Sequence, residues 1–208
     1  MGRVWVIVVA AGAGRRFGGA KLYEVLAGRR VLDWSLGAAR TVADGVVAVV
    51  APDHADDDEP AADAVVAGAD TRSASVRAGL ASVPDDADVI VVHDGARPLA
   101  GPDLFAAVVD AVRGGVDAAV PGVPVDDTLR ARAGGVVDRE GLVAVQTPQA
   151  FRAAALRAAH AGGGEATDDA SLVEAAGGKV VVVDGSPTNL KITRPRDLAV
   201  AEAMLRAR

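Results

Sequence analysis

The sequence contains no cysteine, which excludes disulfides, thiolate metal sites and cysteine nucleophiles together. It is also poor in aromatics. At 3% of residues they cannot fill a core, so valine, leucine and alanine must do so. Half of the chain is hydrophobic, 50%, and such a composition suits strands and alanine-rich helices rather than disorder. Positive charge is in the minority, with 22 Lys and Arg against 28 Asp and Glu and a net charge of −6. No basic run offsets this, so no nucleic-acid partner is expected. No apolar stretch is long enough to span a bilayer. Val4 to Ala11 follows a single Arg3 and runs into glycine-rich sequence, which is not a signal-peptide pattern. The expectations are no membrane partner and a cytoplasmic location. The length suits a single domain over residues 1–208.

What is present alternates. Val4 to Val9, Val46 to Val50 and Val89 to Val92 are continuous apolar runs, the pattern of strands buried on both faces. Val65 and Val66 suggest a short strand, and Asp117 to Val120 and Lys179 to Val183 two more. Helices are expected over Val31 to Ala39, Ser73 to Val83 with Ser73 as N-cap, Pro102 to Arg113, and Pro195 to Arg206. Thr167 could cap a helix at Asp168 to Ala175. This order predicts a mostly parallel sheet covered on both faces. Val125 to Val145 breaks the alternation. It is polar and turns at Gly134 and Gly135, which reads as a hairpin arm, and a two-stranded arm alone is barely stable. A partner surface would explain it.

The residues suited to chemistry follow strands. Ala10, Ala11, Gly12, Ala13 and Gly14 leave the first strand, and Arg15, Arg16 and Lys21 come next. A glycine-rich turn there can bring backbone N–H groups to a phosphate, or can simply lead into a helix. Gly18 stands one place too late for the dinucleotide fingerprint, and no acidic residue ends a second strand about 20 residues on. The Walker-A pattern is absent too, because Leu22 follows Lys21. Cations beside a glycine loop suit a triphosphate. His93 to Pro98 lies at the carboxyl end of a strand, where open α/β sheets bind ligands. Asp94 there could be a hard oxygen ligand for Mg²⁺ or a turn residue, and spacing does not separate the two. His93 is expected to be packed rather than a base, His54 and His160 to lie on the surface, and Asp56 to Glu59 to be a solvated loop. Lys191, between Leu190 and Ile192, is unusually hemmed in for a solvated lysine.

Taken in order, Ala10 to Arg16, Arg72 to Leu80, His93 to Pro98, Asp127-Thr128, Asp138-Arg139, Thr147-Pro148-Gln149, Thr167-Asp168 and Asn189 to Thr193 form a series. With that series the chain resembles the 2-C-methyl-D-erythritol 4-phosphate cytidylyltransferases of non-mevalonate isoprenoid synthesis, over almost its whole length. The resemblance implies a Rossmann-like three-layer α/β sandwich with a mixed, mostly parallel sheet and a protruding β-hairpin arm. It implies CTP and a polyol phosphate as substrates, Mg²⁺ or another divalent cation as cofactor, and a homodimer formed through the arm at about 125–145. By the same resemblance Ala10 to Gly14 line the nucleotide, Arg16 and Lys21 face its triphosphate, and Ala69, Asp70 and Ser75 recognise cytosine. Asp94 holds the metal. Arg97, Thr128, Arg139, Thr147, Thr167 and Lys191 contact the acceptor. Arg16, Lys21, Asp94 and Lys191 carry catalysis. The departures are a short segment from Phe17 to Lys21, Ala20 in place of proline, Ala69 in place of glycine and Gly95 in place of alanine. A ribitol 5-phosphate cytidylyltransferase is the nearest alternative. An NAD(P)-dependent oxidoreductase and a non-catalytic nucleotide-binding regulator are the others.

Overall fold

The computed structural model describes residues 2–207. In chain order the strands are β1 (Arg3–Ala10), β2 (Val25–Leu26), β3 (Arg29–Arg30), β4 (Gly45–Val50), β5 (Ala64–Ala67), β6 (Ala87–Asp94), β7 (Ala118–Pro124), β8 (Leu129–Arg130), β9 (Val136–Val137), β10 (Val143–Val145), β11 (Gln149–Arg152) and β12 (Val180–Asp184). The helices are α1 (Val31–Arg40), α2 (Arg72–Leu80), α3 (Pro102–Arg113), α4 (Ala153–Ala161), α5 (Asp169–Ala175) and α6 (Arg196–Arg206). The valine-rich runs became central strands because both of their faces are covered, and every residue of β4 is buried. β5, β4, β1 and β6 are parallel neighbours. β11 then runs antiparallel between β6 and β7, β12 joins β7 in parallel, and β10 pairs antiparallel with the end of β7.

Two apolar layers sandwich this sheet. Val4, Val6, Val8 and Ala10 of β1 point to the side of α1, α3 and α6. Trp5 and Ile7 point to the side of α2, α4 and α5. The period-two alternation along one strand thus feeds two cores, as in any three-layer sandwich. β1 and β6 both end at the same edge, with Val9 opposite Asp94. That edge collects the loops after β1, β4 and β6 and is where the site lies. The expected hairpin arm is present: β8 and β9 pair antiparallel, with Gly134 and Gly135 at positive φ in the turn. Its last residues, Val143–Val145, rejoin the main sheet as β10.

Several expectations are corrected. Thr71, not Ser73, caps α2, because its side chain accepts from the Ala74 amide at 3.1 Å. Asp168, not Thr167, caps α5, accepting from the Ser171 amide at 3.0 Å. Glu59 does not belong to a solvated loop. It is buried and takes two bonds from Arg30, at 3.0 and 2.7 Å. His54 keeps its expected place at the surface, with its side chain 33% exposed and its ring stacked on Tyr23 at a centroid distance of 4.0 Å. His160 is buried, with Nε2 at 3.0 Å from Asp169 Oδ1. For Glu59 the partner stands 29 positions away, beyond the reach of a local reading.

The Arg30–Glu59 pair has a measurable consequence. The Glu59 side chain is 1% exposed while that of Arg30 is 31% exposed. Removing the arginine leaves a buried carboxylate without its cation, the costly way to break such a pair. Arg30→Met is expected to lower unfolding stability by roughly 3 kcal/mol in urea titrations. Arg30→Met with Glu59→Leu should recover most of that loss. A single substitution that leaves the midpoint unchanged would refute the assignment.

Candidate active site

Three adjoining clefts open at the carboxyl edge of the sheet, of about 480, 250 and 220 Å³. The largest lies between the loop after β1 and the segment joining β5 to α2. Ala11, Gly12, Ala13, Arg15 and Lys21 line one wall, and Gly68 to Arg72 with Ser75 line the other. The loop after β1 closes on itself tightly. The amides of Phe17 and Gly18 both donate to the Gly14 carbonyl, at 2.8 and 2.9 Å. Gly14 has φ of +59°, and a Cβ there would meet the Gly19 carbonyl oxygen at 2.1 Å, so only glycine fits. The opposite wall is tied by Ser75. Its hydroxyl accepts from the Ala69 amide at 3.0 Å and lies 2.9 Å from the Thr71 carbonyl oxygen. The two walls touch at Gly68, where a Cβ would lie 2.1 Å from that of Ala11.

The second cleft is lined by Arg97, Gln146, Thr147, Gln149, Thr167 and Asp168, and shares Arg72, Asp94 and Lys191 with the first. The third holds Arg16 with Arg15, Lys21 and Lys191. Lys191 therefore lines all three. Its position comes from the loop before α6, which is pinned to the end of β6 by the Ile192 amide donating to the Ala96 carbonyl at 2.8 Å. Asn189 is buried in the same loop and donates to the Thr147 carbonyl at 2.9 Å, while its own carbonyl accepts from Arg97 at 2.7 Å.

Asp94 is the electrostatic centre. Lys191 Nζ donates to its Oδ2 at 2.5 Å, Arg72 Nε lies 3.8 Å from Oδ1, and Arg97 Nε lies 4.0 Å from Oδ2. Burial alone would raise the carboxyl's pKa. Lys191, Arg72 and Arg97 outweigh it and hold the pKa at about 2. Lys21 is shifted the other way. Burial lowers its pKa, and Lys191 adds to the effect by like-charge repulsion. Its ammonium donates to the Ile192 carbonyl at 2.8 Å. His93 is fully buried, and burial pushes its pKa down to about 4. Its Nδ1 lies 3.2 Å from Thr147 Oγ1, which also accepts from the Asp94 amide at 3.0 Å. His93 is thus a packed ring, as the sequence suggested, and it backs Thr147, which in turn holds the Asp94 amide.

Most sequence-named residues converge here, with three exceptions. Ala10 sends its methyl into the core beside α1 instead of lining a cleft, because it continues the inward register of β1. Thr128 and Arg139 are exposed on the arm and line none of the three clefts. Sequence reasoning gave no role of their own to Arg72, Gln146 or Gln149. Arg72 was visible as the first residue of a quoted motif. Its orientation depends on a carboxylate 97 positions away and could not be read locally.

Residues 4–207 match the family described as IspD: 2-C-methyl-D-erythritol 4-phosphate cytidylyltransferase. The 2-C-methyl-D-erythritol 4-phosphate cytidylyltransferase of Thermus thermophilus is 44% identical, over 98% of this chain and 97% of that protein. The bifunctional enzyme IspD/IspF of Dinoroseobacter shibae is 43% identical over 99% of this chain, but only 54% of the relative is covered. The chain thus spans about half the length of such bifunctional relatives. The crystal structure of the Thermus thermophilus enzyme superposes with a TM-score of 0.84 at 39% identity, covering 96% of this chain and 98% of that one.

The shifted groups set a pH dependence. The unfolded value for His93 is 6.5 and the folded one about 4. The unfolded chain therefore binds more protons in that window, and stability falls as pH drops through it. Asp94 acts in the same direction at lower pH. Its folded value of about 2 lies below the unfolded 3.8, so its contribution is present above 3.8 and is lost as pH falls towards 2. Urea unfolding between pH 6.5 and pH 4 is expected to show His93 contributing a slope of up to about 1.4 kcal/mol per pH unit. His93→Asn removes that slope. If the slope survives the substitution, the acid sensitivity belongs to other groups.

Proposed function

The chain belongs to the 2-C-methyl-D-erythritol 4-phosphate cytidylyltransferase family, and from that premise we propose that it transfers CMP from CTP to 2-C-methyl-D-erythritol 4-phosphate. The single observation that carries the reading is the convergence of Arg72 and Lys191 on Asp94 where two clefts meet, with Lys21 lining the larger one. The larger cleft suits a nucleotide, with its phosphates over the glycine loop and its base against Ala69, Asp70 and Ser75. The smaller one suits the acceptor, between Arg97, Thr147 and Thr167. An oxygen of the acceptor phosphate attacks the α-phosphorus of CTP, the bond from that phosphorus to the bridging oxygen breaks, and pyrophosphate leaves. The attacking group is already anionic, so no general base is needed, in keeping with a neutral His93 that is fully buried. The obstacle is bringing anions together. Arg15, Arg16, Lys21 and Lys191 reduce that repulsion and favour the charge that grows at the α-phosphate.

Asp94 is the residue that would hold magnesium. It is a single hard carboxylate on the shared wall, and Mg²⁺ takes few protein ligands where phosphates supply the others. When bound, the ion would neutralise phosphate charge. The ribitol phosphate alternative draws no support from the relatives named above. A nicotinamide enzyme would need an acidic ribose partner at the end of β4, where Val50 is followed by Ala51 and Pro52. The family reading keeps the cytoplasmic location expected from the sequence.

We also read the arm as completing the site of a second copy in a homodimer. Within one chain Thr128 and Arg139 reach no cleft, and Val136 and Val137 are 63% and 40% exposed on a hairpin with two-residue strands. Such a hairpin is marginal without a surface to pack on, and a symmetric pair would supply one.

The purified protein should release pyrophosphate from CTP with methylerythritol phosphate and much more slowly with ribitol phosphate. Asp94→Asn should keep the fold and lose about 10²–10³ in turnover. Equal use of both polyol phosphates would reject the acceptor assignment. For the arm, Arg139→Ala is mixed with Asp94→Asn after subunit exchange is verified. One site of each mixed dimer then holds both lesions and the other neither, so activity should return on mixing. Continued silence rejects a site shared between chains.

A further inference from the structure

Arg72 stands where the nucleotide and acceptor clefts meet, lining both together with Asp94 and Lys191. It is gripped from behind. Its Nη1 donates to Asp169 Oδ2 at 2.7 Å. The Asp169 side chain is fully buried, and its other oxygen lies 3.0 Å from Nε2 of His160, itself buried. Both carboxylate oxygens are therefore engaged, which fixes the plane of the carboxylate and the direction from which it holds the guanidinium. Arg72 Nε lies 3.8 Å from Asp94 Oδ1, and the side chain keeps 25% exposure. A guanidinium carries five N–H donors in a rigid fork, so one gripped on one edge can still present others.

A buried imidazole, carboxylate and guanidinium are a poor way to gain stability, since apolar residues of similar volume would serve as well. The same arrangement is well suited to aiming a cation. α5 carries Asp169 directly after Asp168, which lines the acceptor cleft. The element that builds that cleft therefore also sets the angle of Arg72. We propose that Arg72 is a further phosphate-binding residue of the transfer, bridging the acceptor phosphate and the α-phosphate as they meet. Asp169, backed by His160, is the positioning residue that aims it. This rests on the transferase reading above.

Four variants test it in the CTP and methylerythritol phosphate assay: Arg72→Ala, Arg72→Lys, Asp169→Asn and the Arg72→Ala/Asp169→Asn pair, each checked for a cooperative melt. Arg72→Ala should lower kcat about a hundredfold, and added guanidinium ion should restore part of it. Asp169→Asn should lower kcat on the order of tenfold. In the pair, Asp169→Asn should cost nothing beyond the loss of Arg72, because it acts only through that side chain. A purely structural Asp169 would cost the same with or without Arg72, and that result overturns its positioning role. Near-normal kcat in folded Arg72→Ala overturns the whole inference. If Asp169→Asn fails to fold, Arg72→Lys decides, since lysine keeps the charge but lacks the fork. It should fall nearly as far as alanine, and wild-type turnover would refute the proposal. A wild-type protein inactive with both polyol phosphates removes the transferase reading and this inference together, whereas active wild type with active Arg72→Ala removes the inference alone.

Discussion

The carboxylate of Asp94, almost buried at the end of β6, is the constraint on which the site depends. A charge in that position is tolerated only with partners, and Lys191, Arg72 and Arg97 provide them from three different elements. Each partner comes from its own segment: Lys191 from the loop before α6, Arg72 from the start of α2, and Arg97 from the turn after β6. Thr147 binds the Asp94 amide and so brings β11 to the same point. One carboxylate therefore sets the mutual positions of the groups that line two clefts.

The cluster is deliberately unbalanced. Three cations stand around Asp94, only Arg72 among them also held by Asp169, and burial together with repulsion from Lys191 depresses the proton affinity of Lys21. By itself this excess of positive charge is unfavourable. Incoming phosphates relieve it, so energy held as like-charge repulsion becomes part of the attraction for anions. An acidic chain, at −6 overall, can thus hold a cationic cleft without attracting polyanions over its whole surface.

Much of this frame was legible because its signals are local. Valine runs marked β1, β4 and β6, since strands buried on both faces need no alternation. The glycine loop and Asp94 could be placed at strand ends by counting. What escaped the sequence was pairing at long range. Arg72 meets Asp169, and Lys191 meets Asp94, each across 97 residues. His160 looked like a surface residue because nothing near it in sequence announces Asp169 as its partner. Glu59 looked solvated because it ends an acidic run, yet Arg30, 29 positions earlier, draws it inward. Local chemistry predicts which groups can act, and only the packed fold decides which of them face one another.

The arm follows the opposite logic. In the body of the chain Glu59, His160 and Lys191 each have a partner inside the chain. On the arm Val136, Leu142, Val143 and Val145 keep 63%, 40%, 41% and 42% of their surface exposed. The turn at Gly134 and Gly135 holds the hairpin in shape, so this exposure belongs to an ordered surface rather than to a loose tail. An ordered apolar strip on a two-stranded hairpin gains nothing from water. It gains most from a surface of matching shape, and the same chain is the surface always present at equal concentration. A second copy would cover the valines and carry Arg139 toward an acceptor cleft, so that assembly and site completion become one event.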